Sequence, residues 1–594
     1  MRLAAGIVSL GIVALGMITG QSNAVTGANN PAPGRSPCRI AILGCPSGPD
    51  VEWNAENLMR LKELGFNTMQ LNMAWGARPG DEPLNLEDVV EYEAIQRNYA
   101  FEGLKPYRAD NSPLRRADRK MQLRQRIALC KEIGMRTLFH FGAPNNVCYS
   151  FDAKSIDAKM PLCLSDPGTT QYYLKLVDAF AREYPGVDDL LMYTYDQDAW
   201  LCNEFGSCPA CRGVPLHERV VPFVNALGAK WKQLNPNGRL WWEPWELSAG
   251  QVYRCIQRID PAGAGLMMHS NVAEVQVTLP VDRWLKNSAF LAKQRGIPLV
   301  VECFLGAASE EVEPFNYLAY PQATFRQLKA IHAVDGVTGI KEYFGTIPDK
   351  EDANLRLTGV FFANPDISEA EAIERIAQRY GRAGQEVKKF WAKTSQAMEV
   401  FPWDTSWFIR QMGRSDPVHS MSAAFIRGQQ TRTPSWRSTR AAIFMKTDDA
   451  QPDPWMLEDV QLRCDIAAEH LAEAIRIGKA IEPAVPEPLR ADFQKGLEEW
   501  GEFRRRTLAY VYHLRATNLV TVMQQMRRDK EPIPERIVKE LRDVLAADQL
   551  NMQQKEPIQS ALNRLENDVD GFLSEYFQVT QNQISKGYFS LTSR

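Results

Sequence analysis

Residues 190–198, LLMYTYDQD, decide the fold, because this apolar run ends in two acids. Asp196 and Asp198 lie two positions apart, so an extended chain turns both carboxylates to the same side. A buried carboxylate is costly unless it is paired or hydrogen-bonded. The pattern therefore predicts a buried strand that ends at a cavity rather than in a core.

Seven further runs of this kind lie between residues 38 and 382, and amphipathic helical stretches separate them. The eight predicted strands are Arg39–Gly44, Asn67–Trp75, Arg136–Phe141, Leu190–Asp198, Leu240–Glu246, Gly265–Asn271, Pro298–Phe304 and Gly339–Phe344. Eight strand–helix units predict a (β/α)8 barrel of the TIM type. A doubly wound open sheet is the alternative, but no G-x-G-x-x-G motif follows the first strand, which disfavours its dinucleotide-binding form.

The chain changes character after residue 382. Helical patterns dominate there, and they cover residues 384–399, 457–480, 487–527, 534–546 and 555–577. We therefore expect a barrel over 38–382 that carries the functional site, followed by an all-α domain over 383–594. The segment 401–455, which contains several Trp and Pro residues, is expected to form an irregular connector.

The N-terminus predicts export. Met1 and Arg2 form a short positive start, residues 3–18 are apolar, and Ser22-Asn23-Ala24 ends in a small-x-small pattern. This arrangement is typical of a signal peptide over 1–24, here followed by a flexible lead over 25–37; an uncleaved anchor is the alternative. No later run of 18 apolar residues exists, so we expect a secreted or periplasmic protein without a membrane span in its mature form.

Composition excludes two other classes of protein. The chain has 594 residues, with 69 Lys and Arg against 72 Asp and Glu, which gives a formal charge of −3. A nucleic-acid-binding protein would usually show a basic excess, so no nucleic-acid partner is expected. The hydrophobic share of 45% is that of a globular protein and excludes a long disordered chain.

Export also makes disulfides possible for the 11 cysteines. Cys202, Cys208 and Cys211 follow the fourth strand, and with His217 they would complete a zinc site. The exported setting favours disulfides over metal at these positions. Cys148 can pair across the loop after the third strand with Cys163, but connectivity cannot be deduced from sequence.

Carboxylates also end other predicted strands, where barrel enzymes place their functional groups. Glu246, Glu302 and Glu342 end the fifth, seventh and eighth strands. Paired carboxylates suit glycoside hydrolysis, in which one acid protonates the leaving oxygen while the other attacks or activates water. Each acid also has a structural interpretation: Lys341 can neutralise Glu342, and Glu243 is expected to face the surrounding helices.

Aromatic rings and histidines accompany these acids. Rings at strand ends can stack on sugar faces, and histidines there can bind sugar hydroxyls or serve structure alone. The predicted substrate-binding residues are Trp75, His140, Trp200, Trp245, Glu246, His269, Glu342 and Tyr343.

The stretch Tyr195–Cys211 (YDQDAWLCNEFGSCPAC) resembles the exported barrel glycoside hydrolases related to β-hexosaminidases, α-glucuronidases and endo-β-N-acetylglucosaminidases. The resemblance implies that acids after the fourth strand, here Asp196 and Asp198, protonate the leaving group or orient a 2-acetamido arm. It also implies that the nucleophile ends the seventh strand, at Glu302. The hexosaminidases use adjacent acids, whereas this chain has them two apart, and the Asn-Glu of other retaining barrels is absent.

Together these patterns predict a secreted glycosidase with a carbohydrate substrate, such as an N-acetylhexosaminide or a uronide, and no cofactor. Asp198 is the predicted general acid, Asp196 its partner, and Glu302 the nucleophile or base. One alternative is a non-catalytic carbohydrate-binding protein on the same barrel. Another is a metal-dependent hydrolase that uses Asp196, Asp198, His140 and His269.

Overall fold

The computed structural model contains a closed parallel barrel of eight strands. The structure describes residues 37–46, 51–73, 82–83, 85–91, 113–144, 162–194, 201–202, 204, 206, 208–244, 247, 249–270, 281, 283–403, 454–551 and 556–576. The strands are β1 Cys38–Ile42, β2 Thr68–Gln70, β3 Arg136–Gly142, β4 Asp189–Tyr193, β5 Leu240–Glu243, β6 Ala264–His269, β7 Leu299–Cys303 and β8 Val337–Glu342. Each strand pairs in parallel with the next, and β8 closes on β1. The predicted (β/α)8 barrel is confirmed.

Helices cover the outside of the barrel. Those before β8 are α1 Ala55–Glu63, α2 Leu86–Val89, α3 Pro113–Ile133, α4 Pro167–Glu183, α5 Leu216–Leu234, α6 Ala249–Ile256, α7 Arg283–Gln294 and α8 Pro321–His332. Local sequence fixes where several begin. Asp166, for example, precedes Pro167 and accepts a hydrogen bond from the Gly168 N–H, which satisfies a backbone donor at the start of α4.

The C-terminal region is helical, as the sequence predicts. Two helices, α9 Ala353–Ala363 and α10 Glu369–Ala377, follow β8 within the range predicted for the barrel. The helices after residue 382 are α11 Gly384–Val400, α12 Pro454–Ile481, α13 Glu487–Arg528, α14 Glu535–Asn551, α15 Glu556–Asn567 and α16 Val569–Tyr576. The predicted single helix over 555–577 consists of two helices, because Asp568 interrupts the helical conformation. The predicted signal peptide and most of the connector, residues 404–453, lie outside the described residues. No described helix combines the length and apolarity needed to cross a membrane.

One apolar layer fills the inside of the barrel. It consists of Ile40, Leu138, Leu191, Trp241, Met267 and Val300, which pack against one another. Side chains alternate across a strand, so the residue two positions further along each strand also points inward. The next layer toward the C-terminal ends of the strands is therefore built from residues such as His140 and Glu302.

The helical region packs directly on the barrel. A continuous apolar core runs from barrel residues such as Ala41 to Val511 of α13, and a second core lies between the end of α13 and the last three helices. Glu499 of α13 accepts hydrogen bonds from the backbone N–H groups of Asn316 (2.9 Å) and Tyr317 (2.7 Å), in the loop after β7. A domain boundary at 382/383 stays a prediction.

We expect Glu499→Ala to lower the free energy of unfolding by about 2–4 kcal/mol, because it leaves two buried backbone donors without an acceptor. Urea unfolding followed by tryptophan fluorescence measures this loss. Glu499→Gln keeps one acceptor and should lose less. Glu498→Ala is the matched control, since that side chain is 70% exposed; an equal loss in both alanine variants would contradict the assignment.

Candidate active site

A layer of polar side chains lies inside the barrel at the C-terminal ends of its strands. It is formed by His140 on β3, Tyr193 on β4, Glu243 on β5, His269 on β6, Glu302 on β7 and Lys341 on β8. Every one of these side chains is buried. Barrel enzymes carry their reactive groups at this end of the strands, so the layer is the candidate active site.

Two carboxylates and an imidazole meet at the centre of the layer. One oxygen of Glu243, one oxygen of Glu302 and one ring nitrogen of His269 all lie within 4.8 Å of one another. Burial, and after it the neighbouring carboxyl of Glu243, raise the pKa of Glu302 to about 7. Burial likewise raises the pKa of Glu243 to about 7. Two acids this close cannot both ionise readily, so near neutral pH the pair holds a proton.

Lys341 forms an ion pair with one carboxylate of the pair, that of Glu302. Its Nζ donates to Glu302 Oε1 at 2.7 Å and to the backbone carbonyl of Glu342 at 3.1 Å. Glu243 Oε2 instead lies 3.6 Å from His140 Nε2. The ammonium opposes the effect of burial on the pKa of both carboxyls. Its direct contact with Glu302 favours the negative charge on Glu302 and the proton on Glu243.

The position of His140 is set by packing and by the backbone. Its ring stacks on that of Tyr193 with centroids 4.9 Å apart. Asn72 brackets its backbone: the side-chain Oδ1 accepts from the His140 N–H, and the Nδ2 donates to the His140 carbonyl. Gly142 makes room for the stacked tyrosine, since a Cβ atom there would lie 2.8 Å from its ring.

The structure gathers three of the predicted site residues in this layer: Glu302, His140 and His269. Tyr343 lies just beyond it, packed edge-on against Phe304. Glu342 is placed differently, because it follows Lys341 and so points to the opposite face of β8. Its carboxylate accepts hydrogen bonds from three backbone N–H groups, those of Leu305, Phe344 and Gly345. This arrangement ties the loop after β7 to the loop after β8.

Two expectations about neighbouring acids are wrong. Glu243 does not face the helices, because it shares the inward direction of Trp241; it is Trp242 that points outward and donates to the Thr194 hydroxyl. Lys341 neutralises Glu302 through its side chain, not Glu342. Side chains alternate along β5, so the knowledge that Trp241 points inward would have been enough to predict that Glu243 points inward as well. The other predicted site residues, Trp75, Asp196, Asp198, Trp200, Trp245 and Glu246, lie outside the described residues.

No family model and no curated protein matches the sequence. Among solved structures, a GH138 enzyme targeting pectin rhamnogalacturonan II is similar, with a TM-score of 0.54 and 12% identity, covering 93% of this chain and 67% of that chain. A family 5 xyloglucanase from Paenibacillus pabuli has a TM-score of 0.34 and 10% identity, covering 55% of this chain and 98% of that one. A Bacteroides uniformis β-glucuronidase has a TM-score of 0.29 and 11% identity, and the match covers 52% of this chain and 30% of that chain. The first likeness shows a shared fold that extends over nearly the whole chain.

We expect the protein to lose stability as the pH rises from about 4.3 to about 7. The carboxyls of the pair bind a proton in the folded state over this range and release it on unfolding, so the folded state is favoured at the acidic end. Glu243→Gln removes one such carboxyl and should reduce the total loss of stability over this pH range by about 3 kcal/mol at most. Urea unfolding at pH 5 and pH 8 measures the difference.

The matched control for this pH experiment is Glu56→Gln, because the Glu56 side chain is 73% exposed and its charge is solvated in both states. Its slope should equal that of the parent protein. A slope in Glu243→Gln that is as steep as in the parent would show that this carboxyl is already ionised in the folded state.

Proposed function

We propose that the protein is a glycoside hydrolase that cleaves O-glycosidic bonds in oligo- or polysaccharides. The observation that carries this proposal is the coupled pair of Glu243 and Glu302 at the C-terminal end of the barrel. Glycosidases work with two carboxyl groups of opposite protonation state, and buried neighbouring acids provide that difference near neutral pH. The glycoside hydrolases among the structural neighbours support the same class of reaction.

Glu302 is the proposed nucleophile or base. Its contact with Lys341 favours the ionised carboxylate in a buried setting, where an unpaired anion would take up a proton more readily. In a retaining scheme this carboxylate attacks the anomeric carbon, and in an inverting scheme it activates water. Ion pairing holds the side chain in one position in either case.

Asp198 is the proposed general acid, with Asp196 as the group that orients it or the substrate. Both follow β4, whose last residue, Tyr193, contributes its ring to the polar layer. Glu243 is a second candidate for the proton donor, because it holds the proton of the buried pair. The predicted substrate-binding residues are proposed to shape the sugar subsites: Trp75, His140, Trp200, Trp245, Glu246, His269, Glu342 and Tyr343.

The protein is proposed to be secreted or periplasmic, with a mature chain that begins at Val25. Its substrate would then be a carbohydrate outside the cytoplasm. Uronides and N-acetylhexosaminides are the first substrates to test. Fragments of pectin rhamnogalacturonan II join them, because the similar GH138 enzyme targets that polymer. No disulfide joins the described cysteines, and Cys148, the partner predicted for Cys163, lies outside them.

We expect Glu302→Gln and Asp198→Asn each to lower kcat by at least about 10²-fold, since each removes a group that acts in the transition state. The measurement is turnover of a panel of aryl glycosides and of the polysaccharide fragments. Glu56→Gln should retain full activity. Unchanged turnover in both active-site variants would end the assignment, and saccharide affinity without any turnover would favour the binding-protein alternative.

The same panel separates the two candidate proton donors. Loss of the true general acid should hardly affect substrates whose leaving group needs no protonation, and should strongly affect alkyl or sugar leaving groups. We expect this pattern in Asp198→Asn. Finding it in Glu243→Gln instead would move the proton donor to the buried pair.

Lys341→Met should shift the acidic limb of the pH profile of kcat/KM upward by about 1–3 pH units, because an ammonium beside a carboxylate lowers its pKa by that amount. Glu302 must be ionised to act, so activity would appear only at higher pH. Lys293→Met is the control, since that lysine also pairs with a carboxylate but is 56% exposed. An unmoved limb in Lys341→Met would exclude Glu302 as the group that titrates.

A metal-dependent hydrolase is the second candidate, and one observation favours it. Glu243, His269 and Glu302 offer three ligand atoms close enough to share an ion. Lys341 competes with such an ion, because its ammonium already contacts a Glu302 oxygen at 2.7 Å. Metal bound by the parent protein and lost in His269→Ala, together with activity, would favour this candidate.

A further inference from the structure

Four buried cysteine thiols meet beside the barrel. Cys163 lies in the loop between β3 and α4, and Cys202, Cys208 and Cys211 lie in the loop between β4 and α5. Their sulfur atoms all lie within 4.8 Å of one another. Cys163 Sγ is 3.1 Å from Cys211 Sγ and 4.0 Å from Cys208 Sγ. No disulfide joins the described cysteines, so the four thiols form a compact cluster of sulfur atoms.

The spacing of these sulfurs matches a tetrahedral metal site. Zinc binds cysteine sulfur at about 2.3 Å, which places neighbouring sulfurs of a tetrahedral site about 3.8 Å apart. The two distances given above, 3.1 and 4.0 Å, lie on either side of that value. All four cysteines are buried, which is typical of a closed structural site rather than one with an open position for water.

The backbone around the Cys-x2-Cys pair is shaped to present both thiols. The Cys208 carbonyl accepts from the N–H groups of Cys211 (3.1 Å) and Arg212 (2.9 Å), which closes a tight turn. Gly213 follows in a left-handed conformation with a φ of +76°, and its N–H donates to the Glu204 carbonyl. This turn places two sulfurs on the same side of the chain.

A buried arginine supplies positive charge to the same place. Arg219 of α5 donates from Nη1 to the Cys202 carbonyl at 2.8 Å and from Nε to the Val214 carbonyl. Its Nη2 is buried without a hydrogen-bond partner, and no carboxylate in the described part of the chain pairs with it. A buried unpaired guanidinium is costly. Zinc with four thiolates carries a net charge of −2, which would compensate this arginine.

We propose that Cys163, Cys202, Cys208 and Cys211 bind one structural Zn²⁺ that ties the loop after β3 to the loop after β4. The fourth ligand is Cys163 and not His217, whose Nε2 lies 3.8 Å from Glu218 Oε1. Cys202 follows Asp198 by four residues, so the zinc would anchor the chain just beyond the proposed acid. The assignment of the ion itself is independent of the proposed function.

The test measures zinc and thiols in the full-length protein, purified without chelator and without a metal-affinity tag. We expect about one zinc per chain by mass spectrometry of the metals, and its loss in Cys163→Ser and Cys211→Ser. Cys130→Ser is the matched control, a buried thiol on α3 that is not part of the cluster, and it should keep the zinc. Cobalt substitution should give the visible absorption of a tetrahedral thiolate site.

A second measurement uses the parent protein alone, so it does not depend on whether the cysteine variants fold. A chromophoric chelator added to the parent protein should release zinc and expose four additional reactive thiols in the same time course. The proposal is overturned if the protein contains two disulfides among these cysteines and no zinc, or iron with sulfide in its place. Zinc that persists in Cys211→Ser would also overturn it.

The outcomes for this site and for the proposed function can be told apart. Glu302→Gln should be inactive yet retain its zinc, whereas Cys211→Ser should lose the zinc and have a lower melting temperature. A zinc-bound parent protein that hydrolyses no glycoside would leave the zinc site standing and remove the glycosidase. A protein that hydrolyses glycosides but contains no zinc would support the glycosidase and remove the zinc site.

Discussion

The ion pair between Lys341 and Glu302 is the contact on which the polar interior of the barrel depends. Removing one partner from a buried ion pair leaves an uncompensated charge and costs about 3–5 kcal/mol. The register of β7 and β8 sets the two residues opposite each other, so the pair is fixed by the sheet itself. The ammonium contacts a Glu302 oxygen, which favours the anion at Glu302 and the proton at Glu243.

Much of the fold could be predicted because most strands are short, largely apolar runs bounded by turn residues. That pattern identifies a strand without any knowledge of its neighbours. It says little about which face points inward when both faces carry the same residue types, as in Leu240–Glu246 (LWWEPWE). The closed barrel defines which of these residues point inward, and this is why the sequence alone places Glu243 on the wrong face.

Contacts between segments that are distant in the chain also could not be predicted from the sequence. Lys341 precedes Glu342 in the chain, so sequence proximity favoured the wrong partner, whereas the β7–β8 register selects Glu302. Cys163 likewise lies 39 residues before Cys202 and joins it only because β3 and β4 are neighbours in the barrel. His217 was the nearer candidate in sequence, and helix α5 carries it elsewhere.

The helical region helps to hold the candidate active site in place. The chain that leaves β7 after Glu302 is held by polar side chains from later elements. Leu305 N–H donates to Glu342, Ala307 N–H to Asp352, and the N–H groups of Asn316 and Tyr317 to Glu499 of α13. Because these backbone donors are all satisfied, the exit of β7 has little freedom to move. The position of the Glu302 carboxylate thus depends on residues up to 197 positions further along the chain.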